Sequence, residues 1–214
     1  MLSDLLKWGG KRSSTGDIAR PKGGDVVVPS KALAQFISAV AHQPEPSIVI
    51  DCGPVTGNNV AYLGERLGCK LFIEDLVSEF DRHKKAGTME QLLPCIEARL
   101  KRDAASVDGI LCWDFFDFLD KPQAQALATQ IVRLLRPGGA VMGFFCTSAV
   151  ERSAFTKYEI VDDHSLRHRH HPGAGGPKRP LQNRDIIKMF EGLIVAESFL
   201  LKNNTREILL RKKA

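Results

Sequence analysis

The chain has 214 residues, of which 43% are hydrophobic and 26% are charged. This composition is ordinary for a globular protein and excludes wholesale disorder and a collagen-like repeat. No apolar run approaches the roughly 18 residues that a membrane-spanning helix needs, and the N-terminus lacks the pattern of a secretory signal. Five cysteines without a C-x-x-C pair fit a reducing compartment. We therefore expect a cytoplasmic protein that does not use a membrane.

The net charge of +5 is unevenly distributed along the chain. Residues 1–31 carry +3, residues 32–150 carry −3 and residues 151–214 carry +5. Two basic ends can face an anionic partner, or they can be ordinary solvated surfaces, which is the simpler interpretation of so modest a total.

The N-terminal residues 1–29 are rich in Gly, Ser and Lys and show little periodicity, which predicts a basic flexible arm. A domain is predicted over residues 30–214, and it begins with a helix capped by Ser30. Short apolar runs then alternate with helical patterns. The predicted strands cover 47–51, 70–74, 109–112 and 140–146, and the predicted helices cover 59–66, 78–87, 92–100 and the segment from Pro122 to the Pro137-Gly138-Gly139 turn. Repeated crossovers of this kind predict a doubly wound, mostly parallel sheet.

The C-terminal end has a different pattern. The runs 193–201 and 206–211 are typical of strands, and Asn203-Asn204 between them suits a tight turn. An antiparallel hairpin is therefore predicted to close the sheet.

The segment Asp51-Cys52-Gly53-Pro54-Val55-Thr56-Gly57 follows a predicted strand and opens a helix. Glycine lets the backbone approach a ligand closely, a helix N-terminus offers free N–H groups, and open α/β sheets bind ligands at the carboxyl ends of their strands. Glu74 and Asp75 end the next strand, and Glu74 lies 17 residues after Gly57, about the offset at which a carboxylate meets ribose hydroxyls. The pattern indicates a nucleotide-like ligand.

At these residues the sequence resembles the class I S-adenosylmethionine-dependent methyltransferases. Their first motif is acidic-x-Gly-x-Gly-x-Gly, and this chain matches it except at Val55, which replaces the middle glycine. The segment Leu134-Leu-Arg-Pro137-Gly138-Gly139-Ala-Val-Met is similar to the family's turn before its fifth strand, and the terminal hairpin matches its antiparallel seventh strand. The resemblance covers about residues 30–214.

The resemblance implies a three-layer α/β fold with a Rossmann-like sheet, mostly parallel with an antiparallel C-terminal hairpin strand. It implies S-adenosyl-L-methionine as cofactor and S-adenosyl-L-homocysteine as product. Asp51 would face the amino group of the cofactor, and Glu74, with Asp75 as the alternative, would bind ribose. The remaining cofactor contacts would be Gly53, Pro54, Val55, Gly57, Asn58, Trp113 and Asp114. Such enzymes can act without a fixed catalytic residue, so none is assigned, and no metal is expected.

Two departures from the family pattern stand out. Val55 adds a side chain that could narrow the cofactor pocket, and no third strand is evident between Leu76 and Val107. The family usually contacts adenine from that third strand, so Asp103 is only a weak candidate for this contact.

Two further segments have open interpretations. The aromatic run from Trp113 to Phe118 either lines an acceptor pocket or supplies core residues. The stretch from His164 to His171 holds four histidines, but the interleaved arginines disfavour a bound cation, so a solvated basic loop is predicted. It falls in an insertion, residues 147–182, which would overhang the acceptor site as a lid before the last helix.

These observations favour a methyltransferase acting on a small-molecule acceptor that can be anionic. One alternative is an RNA or ribonucleoprotein methyltransferase that uses the basic arm and insertion, although no [Asn/Asp]-Pro-Pro-[Tyr/Phe] motif follows the predicted strand 109–112. The other alternative is a catalytically silent binding protein of the same fold. The sequence specifies neither the acceptor atom nor the oligomeric state.

Overall fold

The computed structural model describes residues 25–41, 45–171 and 175–214, so most of the predicted arm lies outside the described residues. The strands in the described part are β1 (Val26–Pro29), β2 (Ile48–Asp51), β3 (Lys70–Ile73), β4 (Val107–Trp113), β5 (Leu135–Cys146), β6 (Val150–Ser153), β7 (Thr156–Asp162), β8 (Ser165–His170), β9 (Gly176–Lys178), β10 (Leu193–Leu200) and β11 (Thr205–Lys212).

The helices of the same residues are α1 (Lys31–Val40), α2 (Gly57–Asn59), α3 (Leu76–Ala86), α4 (Leu92–Arg99), α5 (Lys121–Leu134) and α6 (Asn183–Met189). Helix α2 continues as π-helical turns over Val60–Arg66, and single 3-10 turns cover Met89–Gln91 and Phe115–Phe118. Ser30 caps α1 as predicted, since it accepts from the amide of Leu33, and Asp120 forms a reciprocal capping box with Gln123 at the start of α5.

The central sheet has six strands in the order β10-β11-β5-β4-β2-β3. Strands β2, β3, β4 and β5 are mutually parallel, and β11 pairs antiparallel with both β5 and β10. The predicted fold class and the C-terminal hairpin are thereby confirmed.

Helices cover both faces of this sheet because its central strands are apolar on both sides. Val49 and Leu111 point to the face covered by α1 and the turns after α2, whereas their neighbours Ile50 and Ile110 point to the face covered by α3, α4, α5 and α6. Alternate residues of a strand face opposite sides, so each central strand contributes to two cores and the domain has three layers.

A second, three-stranded sheet stands beside the first in the order β1-β8-β7. Val26 of β1 pairs with His168 of β8, and Tyr158 of β7 pairs with the same residue from the other side. The part of the predicted arm that the structure describes is therefore a strand, and the histidine-rich stretch is the centre of a sheet rather than a loop. The sequence of β1 does not reveal this, because its partner β8 is more than a hundred residues away.

Two other elements differ from the sequence-based expectation. Strand β5 begins at Leu135 instead of residue 140, so Pro137 and the following glycines lie within it, and Gly138 takes a positive φ of 80° where the register shifts. Between Leu76 and Ser106 the chain forms α3, the turn at Met89–Gln91 and α4, so the described residues hold no strand there.

All five cysteines are free thiols, and Cys52, Cys112 and Cys146 are buried, as their predicted positions beside strands suggested. No helix among the described residues is long and apolar enough to cross a membrane.

Candidate functional site

The carboxyl ends of β2, β3 and β4 bring together three of the predicted site residues, Asp51, Glu74 and Trp113. The backbone N–H of Glu74 donates to the carbonyl of Asp51 (2.9 Å), and the amide of Cys52 donates to the carbonyl of Leu111 (2.9 Å). The strands therefore stay paired up to their last residues, which holds the three side chains at one edge of the sheet.

The carboxylate of Asp51 is buried and accepts three hydrogen bonds. Its donors are the amide of Gly53 at 2.9 Å, the Nδ2 of Asn59 at 3.0 Å and the indole Nε1 of Trp113 at 2.6 Å. Burial raises the pKa of Asp51 above its ordinary value, while these bonds act in the opposite direction. Asp51 thus links the backbone of the glycine turn to the side chains of Asn59 and Trp113.

Asn59 connects the turn to the insertion, a role that the sequence did not reveal. Its Nδ2 donates to the carbonyl of Tyr158 (3.1 Å) as well as to Asp51, and its Oδ1 accepts from the amide of Ile160 (2.8 Å). The neighbouring Asn58, which was predicted from the sequence as a cofactor contact, is exposed. The two residues are of the same type and adjacent, and they differ only in that Asn59 points into the protein and Asn58 points to solvent.

Trp113 lies over the glycine turn. An ideal Cβ built on Gly53 would be 2.6 Å from Cδ1 of Trp113, so the indole packs directly on the bare backbone of Gly53. Trp113 has a positive φ of 51° at a register shift between β4 and β5. For a bulky residue this conformation costs on the order of 1–3 kcal/mol and occurs mainly at functional sites, where bulges redirect side chains.

The indole continues into a stack of aromatic rings from the insertion and β5. The ring of Tyr158 lies parallel to it at 5.1 Å, and Phe144 is parallel to Tyr158 at 4.8 Å. His168 meets Tyr158 edge-on at 4.7 Å, and burial lowers the pKa of this histidine. Trp113, Tyr158, Phe144 and His168 are called the aromatic stack below.

The two acidic residues after β3 do different things. Glu74 is 8% exposed and accepts through Oε1 from Arg102 (2.5 Å), whose guanidinium lies 3.9 Å from the ring centre of Phe72. Asp75, at a φ of 40°, caps α3 by accepting from the amide of Ser78 (3.0 Å). Glu74 is thus the buried, ion-paired carboxylate of the two, and Asp75 is the helix cap.

The other predicted cofactor contacts in the glycine turn differ in their exposure to solvent. Pro54 is buried beneath the turn, whereas Val55 is 58% exposed and Gly57 is exposed. Because Val55 points to solvent, it does not narrow the turn.

Asp114, Asp117 and Lys178 form a buried ionic cluster between the end of β4 and the insertion. The Nζ of Lys178 lies 2.8 Å from Oδ2 of Asp114 and 3.4 Å from Oδ2 of Asp117. Asp117 also accepts from the amide of Cys146 at 2.9 Å. Asp114 therefore holds the insertion to the sheet. Phe115 and Phe118 are buried core residues, which favours the core interpretation of that aromatic run for these two rings.

The Asp117→Asn variant is expected to change how stability depends on pH. Desolvation raises the pKa of the fully buried Asp117 from 3.8 to about 6, so folding favours its protonated form. Its stabilising contribution is therefore complete below pH 3.8 and is lost as the pH rises through 6. The free energy of unfolding of Asp117→Asn, relative to that of wild type, should therefore increase by about 2–3 kcal/mol between pH 4 and pH 7. Urea titrations at a series of pH values measure this gain, and parallel pH curves for the two proteins would contradict it.

A cavity of about 630 Å³ lies beside the aromatic stack. It opens between β1, β8 and the turn from β10 to β11, and that turn meets the carboxyl end of β5 because Thr205 pairs with Cys146. Its lining is mainly apolar, with one basic residue: Val26, Val28, Pro29, His168, Leu200, Leu201, Lys202 and Asn203.

Glu79, His83 and Cys95 also lie together, with potential ligand atoms within 4.8 Å of one another. Arg82 and Arg99 both donate to the carboxylate of Glu79, and they lower the pKa of this residue to about 2. Two guanidinium groups on the carboxylate make this cluster an ionic link between α3 and α4 and leave it unsuited to a cation.

Comparison with known proteins shows a match to one family model over part of the chain. Residues 50–143, from β2 into β5, match the family model described as a methyltransferase domain. A search of curated proteins gave no match.

Several solved structures are similar to this chain at low sequence identity. The 1,6-didemethyltoxoflavin-N1-methyltransferase of Burkholderia thailandensis, crystallised with 1,6-didemethyltoxoflavin and S-adenosylhomocysteine, is 17% identical over 86% of this chain and 77% of its own, with a TM-score of 0.50. An S-adenosylmethionine-dependent methyltransferase of Clostridium acetobutylicum is 14% identical over 86% and 92% of the two chains, with a TM-score of 0.47. A TehB-like methyltransferase of Corynebacterium glutamicum is 16% identical over 85% and 88%, with a TM-score of 0.46.

Proposed function

We propose that this chain is a class I S-adenosylmethionine-dependent methyltransferase and transfers a methyl group from S-adenosyl-L-methionine to a small-molecule acceptor. The observation that carries the proposal is the meeting of Asp51, the bare backbone of Gly53 and the carboxylate of Glu74 at one sheet edge, inside the matched methyltransferase segment. S-adenosyl-L-homocysteine is then the product.

The ribose end of the cofactor fits the residues present. Glu74 follows β3 at the sheet edge, and its ion pair with Arg102 through Oε1 orients the carboxylate. A carboxylate held in this way can accept hydrogen bonds from two ribose hydroxyls.

The methionine end does not fit this arrangement of the chain. The face of Gly53 that would receive it is covered by the indole of Trp113, which also holds the carboxylate of Asp51. When bound, the cofactor supplies a methyl carbon on a positively charged sulfur. The protein's own contribution is to orient the acceptor and to exclude water, which needs no fixed base unless the acceptor is protonated.

The cavity beside the aromatic stack supports a small, largely apolar acceptor. Its volume of about 630 Å³ is in the range of small-molecule sites, and Lys202 is the basic group of its lining. An acceptor with an apolar body and a negative group would match this lining.

The arginines of the insertion are less available for binding nucleic acid than the sequence suggests. Arg167 and Arg169 both pair with Glu159 of β7, at 3.4 Å and 3.1 Å. Because a carboxylate already neutralises these guanidinium groups in part, they are poor donors for phosphates.

Isothermal titration calorimetry with S-adenosyl-L-homocysteine tests the cofactor. Glu74→Ala should weaken binding at least tenfold, because it removes the acceptor for the ribose hydroxyls, and Glu65→Ala, at an exposed position of the turns after α2, should not. Equal affinity in the wild type and Glu74→Ala would remove Glu74 from the site.

The acceptor class is tested by incubating the protein with methyl-labelled S-adenosyl-L-methionine and either a small-molecule extract or purified RNA. Label is expected in the small-molecule fraction. Label in RNA would favour the nucleic-acid alternative, and cofactor binding without transfer to any fraction would favour a binding protein.

A further inference from the structure

The indole of Trp113 occupies the two features of the turn that a ligand would use. It covers the bare backbone of Gly53, with Cδ1 at 2.6 Å and Nε1 at 2.8 Å from an ideal Cβ position. It also donates its N–H to Oδ1 of Asp51 at 2.6 Å. A glycine at this position leaves space for a ligand, and in this chain that space is filled by the protein itself.

The bond between the indole and Asp51 can be exchanged for a ligand bond without leaving a buried charge unsatisfied. Asp51 also keeps its bonds from Gly53 and Asn59, and the third donor is either the indole N–H or an ammonium group of a ligand. Losing a donor to a buried carboxylate is costly, so this donor-for-donor exchange makes two arrangements accessible.

The arrangement in which the indole covers Gly53 is called closed, and residues of the insertion stabilise it. The ring of Tyr158 is parallel to the indole at 5.1 Å, and the backbone of β7 is bound to Asn59 through Tyr158 and Ile160. The positive φ of Trp113 opposes this closure, because it is a strained conformation for a large side chain.

From these contacts we infer that Trp113 and Tyr158 form a gate over the glycine turn, so that the cofactor binds at Gly53 only after the indole has left it. The inference rests on the proposed function, and it deepens that function by coupling the cofactor site to the insertion. Because only molecules whose gate is open can bind the cofactor, the apparent affinity equals the intrinsic affinity multiplied by the open fraction.

The test compares S-adenosyl-L-homocysteine affinity in variants of the full chain. Trp113→Ala removes the indole and should lower the dissociation constant at least tenfold, and Tyr158→Ala, which removes the ring above it, should lower it by a smaller factor. Phe115→Ala deletes a buried aromatic ring in the core on the other face of the sheet and should leave the dissociation constant unchanged. Trp113→Phe, a smaller loss of core volume, should lie between wild type and Trp113→Ala, and it serves if the alanine variant does not fold.

A spectroscopic arm observes the gate directly. The chain has two tryptophans, Trp8 and Trp113, so in a Trp8→Phe background the fluorescence comes from Trp113 alone. Addition of S-adenosyl-L-homocysteine should shift this emission to the red as the indole leaves its buried stack.

The outcomes separate the gate from the proposed function. Tighter binding in the Trp113 variants together with the red shift supports both. Binding in wild type that is equal to or tighter than in the Trp113 variants overturns the gate and leaves the methyltransferase proposal standing. Binding in none of the proteins overturns both.

Discussion

Lys178→Met is expected to lower the free energy of unfolding by about 3–5 kcal/mol at pH 8, because it leaves two buried carboxylates without their cation. The side chains of Asp114 and Asp117 are 2% and 0% exposed, and the Nζ of Lys178 is 2.8 Å and 3.4 Å from them. Methionine keeps most of the volume of the lysine stem, so the loss reports the charge rather than a cavity.

Urea denaturation at pH 8 and pH 5 measures this effect. The loss should be smaller at pH 5, because Asp117, with a pKa of about 6, is largely protonated there and needs its cation less. Lys188→Met, at an exposed position of α6, is the matched control and should stay within about 0.5 kcal/mol of wild type. A Lys178→Met loss as small as that of the control would show that the cluster does not hold the insertion.

The second large effect is expected for Asn59→Ala, which should cost about 2–4 kcal/mol because several buried partners lose their hydrogen bonds at once. Asp51 loses a donor, the carbonyl of Tyr158 loses another, and the amide of Ile160 loses its acceptor.

Asn58→Ala provides a control with the same chemistry one residue away. Asn58 is exposed and Asn59 is 1% exposed, so the two substitutions remove the same group from opposite sides of one helical turn. Thermal or urea unfolding of both variants gives the comparison. Equal losses of stability would show that the link between α2 and β7 contributes nothing beyond helix propensity.

Local patterns were sufficient to predict the frame of this domain. The alternation of apolar runs with helical stripes is a property of neighbouring residues, and it predicted the parallel strands β2, β3, β4 and most of β5, together with the hairpin of β10 and β11. The segment that begins at Asp51 and the carboxylate Glu74 were recognisable for the same reason. A strand, a glycine turn and a helix start follow one another directly in the chain.

The insertion and the arm were not predictable in this way. β1 pairs with β8 across more than a hundred residues, as between Val26 and His168, and no local pattern encodes such a partner. β7 then pairs with the other edge of β8 as a hairpin, which leaves β8 in the centre of the sheet. The ionic contact of Lys178 with Asp114 and the stacking of Tyr158 on Trp113 also join residues that are distant in sequence.

The sequence by itself therefore predicted the strands and helices of the parallel sheet, the C-terminal hairpin and the residues of the glycine turn, because these depend on short-range patterns. Only the tertiary structure decided what those residues contact. It placed Asn59 rather than Asn58 inside the site, gave Asp75 to a helix cap, and laid Trp113 on Gly53. The physical reason is that side-chain packing is set by partners brought together from distant parts of the chain, and at this site those partners come from the insertion.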